Sequence, residues 1–434
     1  MLVPRYAPWV EQRHTQAIEH RARGAWRLWG VICVSMLCWP LSCVLLSDFG
    51  GLTGDGKSVW DSGAPPDGAL DGPQDGSHDA FDDVDADVSE KDAPVSTPGI
   101  PVLVAAVQGH VWALLADGDD IFWTVDEVVL GDGGLGSAVY KASQGCQGAS
   151  CGTVLAFAAD STRLTDIAAD FEWLYYGEID SGRIMRVRRQ SGEIETLAVG
   201  QANPLGLALS ASHVYWTGYD TAALGYLRRA PKSPLAPDAG AAAAVPMLEQ
   251  LAQPQFLAAD PFGSKLFWGT DTGSKIQSCF PTVGDGGAPT CNVKTLSAGT
   301  LKDPGTGAAQ LRKLVADSTH VYWREGWKSP TAWTVGAVRR VDKNGNVVPD
   351  GGAPSQLLAE GAVAYHPRWI SLDQTHVYWT VADSGKVYRT TKQPGGAIEV
   401  VNSIDIPGVH SVVAVDGAVF ASSWVTGEVY RIAL

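Results

Sequence analysis

Three of the nine histidines, His110, His366 and His410, stand seven, seven and six residues ahead of recurring aspartates at 117, 373 and 416. Three imidazoles brought to one point could hold zinc or activate a water. The same three at a cleft mouth could instead form a polar binding rim. Both readings stay open, because corresponding places elsewhere hold Arg163, Asn203, Gln253 and Gln310, which are polar but not metal ligands as a set. Arg368 lies two residues beyond His366 and joins the candidate rim. A second candidate is the stretch 325–335, expected to be a long loop carrying Trp327, Lys328 and Trp333 with Arg324 at its base. Tryptophan flanked by cations suits glycan or peptide contacts, or else the rings fold over to cover an edge.

Local signatures of catalysis are missing. The chain has no Gly-x-Ser-x-Gly elbow, no phosphate-binding Walker loop and no dinucleotide glycine pattern, so no residue is assigned as catalytic and no cofactor is named. A net charge of -15 argues against nucleic-acid binding, which needs clustered Lys and Arg to neutralise phosphate. Four cysteines outside the N-terminal region fall in close pairs, Cys146 with Cys151 and Cys279 with Cys291. Their number and spacing favour two local disulfides over a four-cysteine metal site.

The elements that must position these residues follow from an internal repeat. Asp317-Ser-Thr-His-Val-Tyr-Trp323 and Asp373-Gln-Thr-His-Val-Tyr-Trp379 are its clearest copies, and Ser210 to Trp216 is a third. Weaker copies start at Asp117, Asp170, Asp260 and Asp416, and most units continue into Gly-x-Val/Ile/Leu-x-Arg. The aromatic position recurs at 123, 176, 216, 268, 323, 379 and, as Ala, 421, a period of roughly 40–56 residues that fits a propeller blade. Each unit parses into four short apolar runs, such as 369–373, 376–381, 386–391 and 398–402. The last unit has only three, and the orphan run Pro101 to Val107 could supply its fourth. An all-β, seven-bladed propeller is therefore expected over residues 100–434, closed by the N-terminal strand, with six blades as the alternative. In that ring His110, His366 and His410 belong to consecutive units and share a face. The turn aspartates are expected to cap their own turns.

Tyr215-Trp216-Thr217 and Tyr378-Trp379-Thr380, with Arg229 and Arg389 downstream, resemble the propellers of low-density-lipoprotein-receptor type, named for a Tyr-Trp-Thr-Asp tetrapeptide. The pattern is also similar to TolB-like and NHL-like bacterial propellers. The fourth tetrapeptide position holds Gly218 and Val381 here, so the resemblance implies the fold and not the receptor's ligands.

Ahead of the repeats the charge separates. Residues 1–27 carry a surplus of positive charge, 28–47 are uncharged and largely apolar, and 48–99 carry twelve Asp against two Lys. An uncharged run of this length meets a membrane, and the basic flank should stay in the cytoplasm, exporting the rest. Leu41-Ser42-Cys43 could end a lipoprotein signal with Cys43 lipidated; an uncleaved anchor and a cleaved signal are the other readings. The acidic stretch reads as a disordered spacer. Together these features suggest a monomeric propeller anchored at the cell envelope, extracytoplasmic, binding a protein, peptide or glycan. A channel-mouth hydrolase or lyase using the histidines, with or without a metal, is the alternative.

Overall fold

Short runs rich in Val, Tyr and Trp, broken by Asp- and Gly-containing turns, form strands because β-branched and aromatic side chains pack well on a pleated surface. A computed structural model describes residues 98–434 apart from 131–132, 159–162, 221–223, 233–243, 271–274, 284–288, 298–308, 329–332, 346–354 and 365–366. The basic head, the apolar segment with Cys43, and the acidic spacer up to residue 97 lie outside the described residues, as does His366.

The described strands form seven four-stranded antiparallel sheets and one two-stranded hairpin. The protein is a seven-bladed β-propeller, which sets aside the six-bladed alternative. The innermost strands of blades one to seven are His110–Asp117, Leu164–Ala169, Pro204–Leu209, Pro254–Ala259, Ala309–Ala316, Pro367–Leu372 and Val409–Val415. Neighbouring inner strands touch all the way round, the seventh against the first. In the seventh blade the outermost strand is Val102–Ala106, which pairs antiparallel with Glu428–Ala433. That sheet is thus made from both ends of the described region. Gly427 occupies the left-handed conformation at φ 69°. A Cβ there would meet the Val107 carbonyl at 2.1 Å, so the glycine that opens the Gly-x-Val-x-Arg run is demanded by backbone packing at this junction.

Packing lies between blades, as expected for sheets covered on both faces. Trp123, Trp216, Trp268, Trp323 and Trp379 are all fully buried. Truncating any of them should cost on the order of 3–5 kcal/mol. Disulfides join Cys146 to Cys151 and Cys279 to Cys291, with Cα–Cα separations of 6.0 and 5.4 Å. The second ties the end of a third strand to the hairpin Pro281–Val283/Pro289–Cys291.

The expected loop at 325–335 is an extended hairpin instead. Strands His320–Lys328 and Trp333–Asp342 pair as far as Trp327 with Val335 and Lys328 with Trp333, so both tryptophans sit on paired backbone. The first blade does the same, its strands reaching Val129 and resuming at Leu135.

Candidate functional site at the channel mouth

Every inner strand carries a bulge facing the channel, and that bulge aims the site residues. In the first blade Val111 pairs with Val125 and Leu114 with Trp123, so Trp112 and Ala113 together oppose Thr124. The bulge frees a backbone N–H, and the hydroxyl after the repeated Trp accepts it. Ala113 N–H donates to Thr124, Gly206 to Thr217, Trp369 to Thr380 and Ser411 to Ser422, at 3.1–3.3 Å. In the second blade the roles exchange, and Gly177 N–H donates to Thr165. This is the physical reason for the Trp-Thr pair in the repeat: a buried donor needs an acceptor.

This register corrects one sequence expectation. Val111, Pro367 and Val409 are equivalent, paired with Val125, Val381 and Ser423. His110 therefore precedes the bulge, whereas His410 lies inside it, in the place of Trp112 and Arg368. The same register puts Val415, not Asp416, at the turn position held by Asp117 and Asp373. Counting from Asp416 in place of Val415 had disguised the offset, since the seventh turn is as long as the first.

His110 and His410 nevertheless meet around one ring. His110 stacks on Trp424 at 4.5 Å with planes 6° apart, and His410 lies 5.4 Å from the same indole. Trp112 packs edge-on against Trp424 at 5.3 Å and beside His410 at 5.1 Å. Trp369 closes the group, 5.7 Å from His410. Trp112, Trp424, His110 and Arg368 are half-buried, while His410 and Trp369 are buried. Each imidazole is oriented by its Nδ1, His110 on the Trp424 carbonyl at 2.6 Å and His410 on the Trp112 carbonyl at 3.0 Å. A carbonyl only accepts, so Nδ1 carries the proton in both rings. Nε2 of His110 lies 3.4 Å from the Glu127 carboxylate, on a residue held at φ 62°. Among the described residues no group of three or more His, Cys, Asp or Glu is arranged to hold a metal. Arg324, buried at 4% exposed, stands after Trp323 where three other blades have Thr124, Thr217 and Thr380.

No local pattern in the chain points to what lies below this mouth. Lys313 of the fifth blade pairs with Asp166 of the second, across the channel; Asp166 is buried and Lys313 half-buried. The ammonium also lies 4.7 Å from the Trp369 ring and 6.0 Å from Phe256, which themselves meet edge-on at 6.3 Å. The channel is bridged at the level of the bulges, and the aromatic cluster forms a floor rather than the wall of an open pore.

Asp126, paired opposite His110, lies beside the mouth with its carboxylate accepting Ser137 Oγ–H and Leu164 N–H. Burial pushes its pKa up to about 6 against those hydrogen bonds and the Arg163 charge.

On the opposite face, where first strands turn into second strands, a repeated clasp links the blades. Asp170 accepts the Tyr175 hydroxyl and pairs with Lys232 of the next blade at 3.0 Å. Asp317 does the same with Tyr322 and Lys392. Asp260 pairs with Lys343 and Asp117 with Arg189. Arg186 and Arg340 answer by donating to the carbonyls of Lys232 and Lys392. The signal was present in sequence: Arg186, Arg229, Arg340 and Arg389 are each followed three residues later by Arg189, Lys232, Lys343 and Lys392. The turn aspartates also cap their turns, Asp373 accepting the N–H groups of Thr375 and His376.

No protein-family model matches this chain, and no curated protein matches it. Solved structures share its fold. A chain of Kuenenia stuttgartiensis hydrazine synthase aligns at TM-score 0.53 and 14% identity, covering 79% of this chain and 98% of that one. Virginiamycin B lyase from Staphylococcus aureus aligns at TM-score 0.50 and 10% identity over 77% of this chain and 98% of that one. The WD40 propeller domain of Doa1 aligns at TM-score 0.50 and 17% identity over 77% and 97%. At these identities the likeness concerns the fold alone.

Proposed function

We propose that this propeller is an exported, membrane-anchored binding module of the cell envelope, holding a protein, peptide or glycan ligand at the mouth formed by blades six, seven and one. One observation carries the reading. Half-buried Trp112 and Trp424, backed by His110, His410 and Trp369 and flanked by Arg368, present ring faces and polar edges on a closed floor. Ring faces supply contact area at low entropic cost, and the imidazole and guanidinium edges supply direction. The basic, apolar and acidic segments ahead of the propeller support export and anchoring on the principle that the positive flank stays inside.

The test uses full-length protein in detergent, screened against envelope polysaccharides and a peptide panel with intrinsic tryptophan fluorescence as the readout. A specific ligand should lose about 1–2 kcal/mol of binding with Trp424→Ala or Arg368→Ala. Binding unaffected by both substitutions would rule out this mouth.

A second reading, a hydrolase or lyase, rests on the His110–Glu127 pair, an acid–base couple at the entrance. It requires turnover that disappears with His110→Ala and with Glu127→Gln.

A further inference from the structure

A cavity of about 590 Å³ opens on the face opposite the aromatic mouth, against the turns of blades four to seven. Its walls include Asp317, Lys392, Arg340, Asp373, Gln374 and Asp416. The clasp described above shows what such walls hold. Backbone pairing fixes the clasp positions, because the residue supplying the cation donates its own N–H to the preceding hairpin. Arg189, Lys232, Lys343, Lys392, Gln144 and Leu434 all do so.

Seven blade junctions can then be compared. Four hold an aspartate and a cation: Asp117 with Arg189, Asp170 with Lys232, Asp260 with Lys343, and Asp317 with Lys392. Two have lost both members, carrying Ser210 with Pro281 and Val415 with Gln144. Carboxylate and cation are kept or lost together. The junction of blades six and seven alone keeps the aspartate, Asp373, and puts Leu434 in the cation's place. Asp373 is 17% exposed, and its only ionic neighbour among the described residues is His376 at 4.0 Å. Tyr378 donates its hydroxyl to Asp373 at 2.5 Å, as Tyr175 and Tyr322 donate to the aspartates that hold lysines.

From this we infer that the cavity is a binding site for a primary ammonium group, such as a lysine side chain of a partner, which sits on Asp373 and Tyr378 as Lys232 and Lys392 sit on their own aspartate and tyrosine. The template is quantitative: in both filled clasps Nζ lies 3.0 Å from the carboxylate and 5.5–5.8 Å from the tyrosine ring centre. Burial works against the Asp373 charge, but hydrogen bonds from Tyr378, His376 and Thr375 outweigh it and hold the carboxyl below its ordinary range. The seat is therefore anionic at neutral pH. The exposed Asp416 on the same wall adds attraction, while Lys392 and Arg340 are occupied, by Asp317 and by Gln356 and Gln393.

The experiment titrates full-length protein in detergent with N-acetyl-lysine methylamide, using the norleucine counterpart as the uncharged control. Calorimetry measures affinity, and amide shifts at Thr375 and His376 locate the binding. The lysine compound should bind and the norleucine compound should not. Asp373→Asn, which keeps the capping oxygen, should weaken binding about tenfold. Leu434→Lys should block the seat from within and eliminate the shifts while leaving the fold intact, so it decides the matter if the Asn variant is unstable. Equal binding of both compounds, or lysine binding indifferent to Leu434→Lys, would overturn the assignment.

Discussion

Lys313 and Asp166, three blades apart, meet across the channel of the propeller and bridge it. Asp166 is buried and the Lys313 side chain is 12% exposed, so the pair binds the two halves of the ring while carrying a desolvation cost, most of it on the carboxylate. Lys313→Met should destabilise by about 3–5 kcal/mol, because it leaves Asp166 charged and buried. The double variant Lys313→Met, Asp166→Asn should recover most of that loss, since Asn still accepts the Ile167 N–H. Denaturant midpoints decide it. A single variant as stable as the parent would mean that the carboxylate is solvated.

Asp126 predicts an unusual pH dependence. Its pKa rises from an ordinary 3.8 to about 6 on folding, so between those values the folded state binds more protons than the unfolded one. Its contribution is fully present below about pH 4 and declines as pH rises toward 6, by on the order of 3 kcal/mol. Asp126→Asn should stabilise the protein near pH 8 and change little near pH 4. Thermal midpoints that respond equally at both pH values would contradict the assignment.

The clasp aspartates have the opposite sign. Burial opposes their charge, but hydrogen bonds from the turn and from lysine hold Asp170, Asp317 and Asp260 below the usual carboxylate range. Their stabilisation is present above about pH 4 and is lost as pH falls below it. Lys392→Met should reduce stability by about 1 kcal/mol at neutral pH and make the acid limb shallower. An unchanged acid limb would separate Asp317 from Lys392.

Thr217→Val keeps the shape of a buried side chain and removes the acceptor for Gly206 N–H. The expected cost is about 1–3 kcal/mol, with Thr217→Ser much milder. Thr380→Val should cost at least as much and also weaken ligand binding, because Thr380 donates to the His410 carbonyl at 2.6 Å as well as accepting from Trp369. Near-parental denaturation midpoints for Thr217→Val would refute the account of the bulge.

Much of the blade architecture was legible because strand signals are local. The runs 376–381 and 386–391 coincide with the observed strands His376–Val381 and Lys386–Thr391. The site was only partly legible. Counting from Asp416 rather than Val415 hid that His410 falls two residues further along its strand than His110, and a count along the chain cannot detect a bulge. The convergence of Lys313, Asp166, Phe256 and Trp369 depends on four blades meeting at an axis, which no local pattern encodes. The clasps could have been found by extending the Gly-x-Val-x-Arg motif three residues further.

His110 and Trp424, which stack to make the centre of the mouth, are 314 residues apart in the chain. They face each other across the junction of the first and seventh blades, where strand Val102–Ala106 joins Glu428–Ala433. During synthesis that early strand must wait, with an unpaired edge, until its partner has been made, and such distant pairings form late and slowly. The proposed binding surface is therefore the last part of the molecule to come into being. A ring that has not shut has no mouth, so on the proposed function ligand occupancy would select finished molecules, and a ligand that engages both blades would hold the junction closed by mass action.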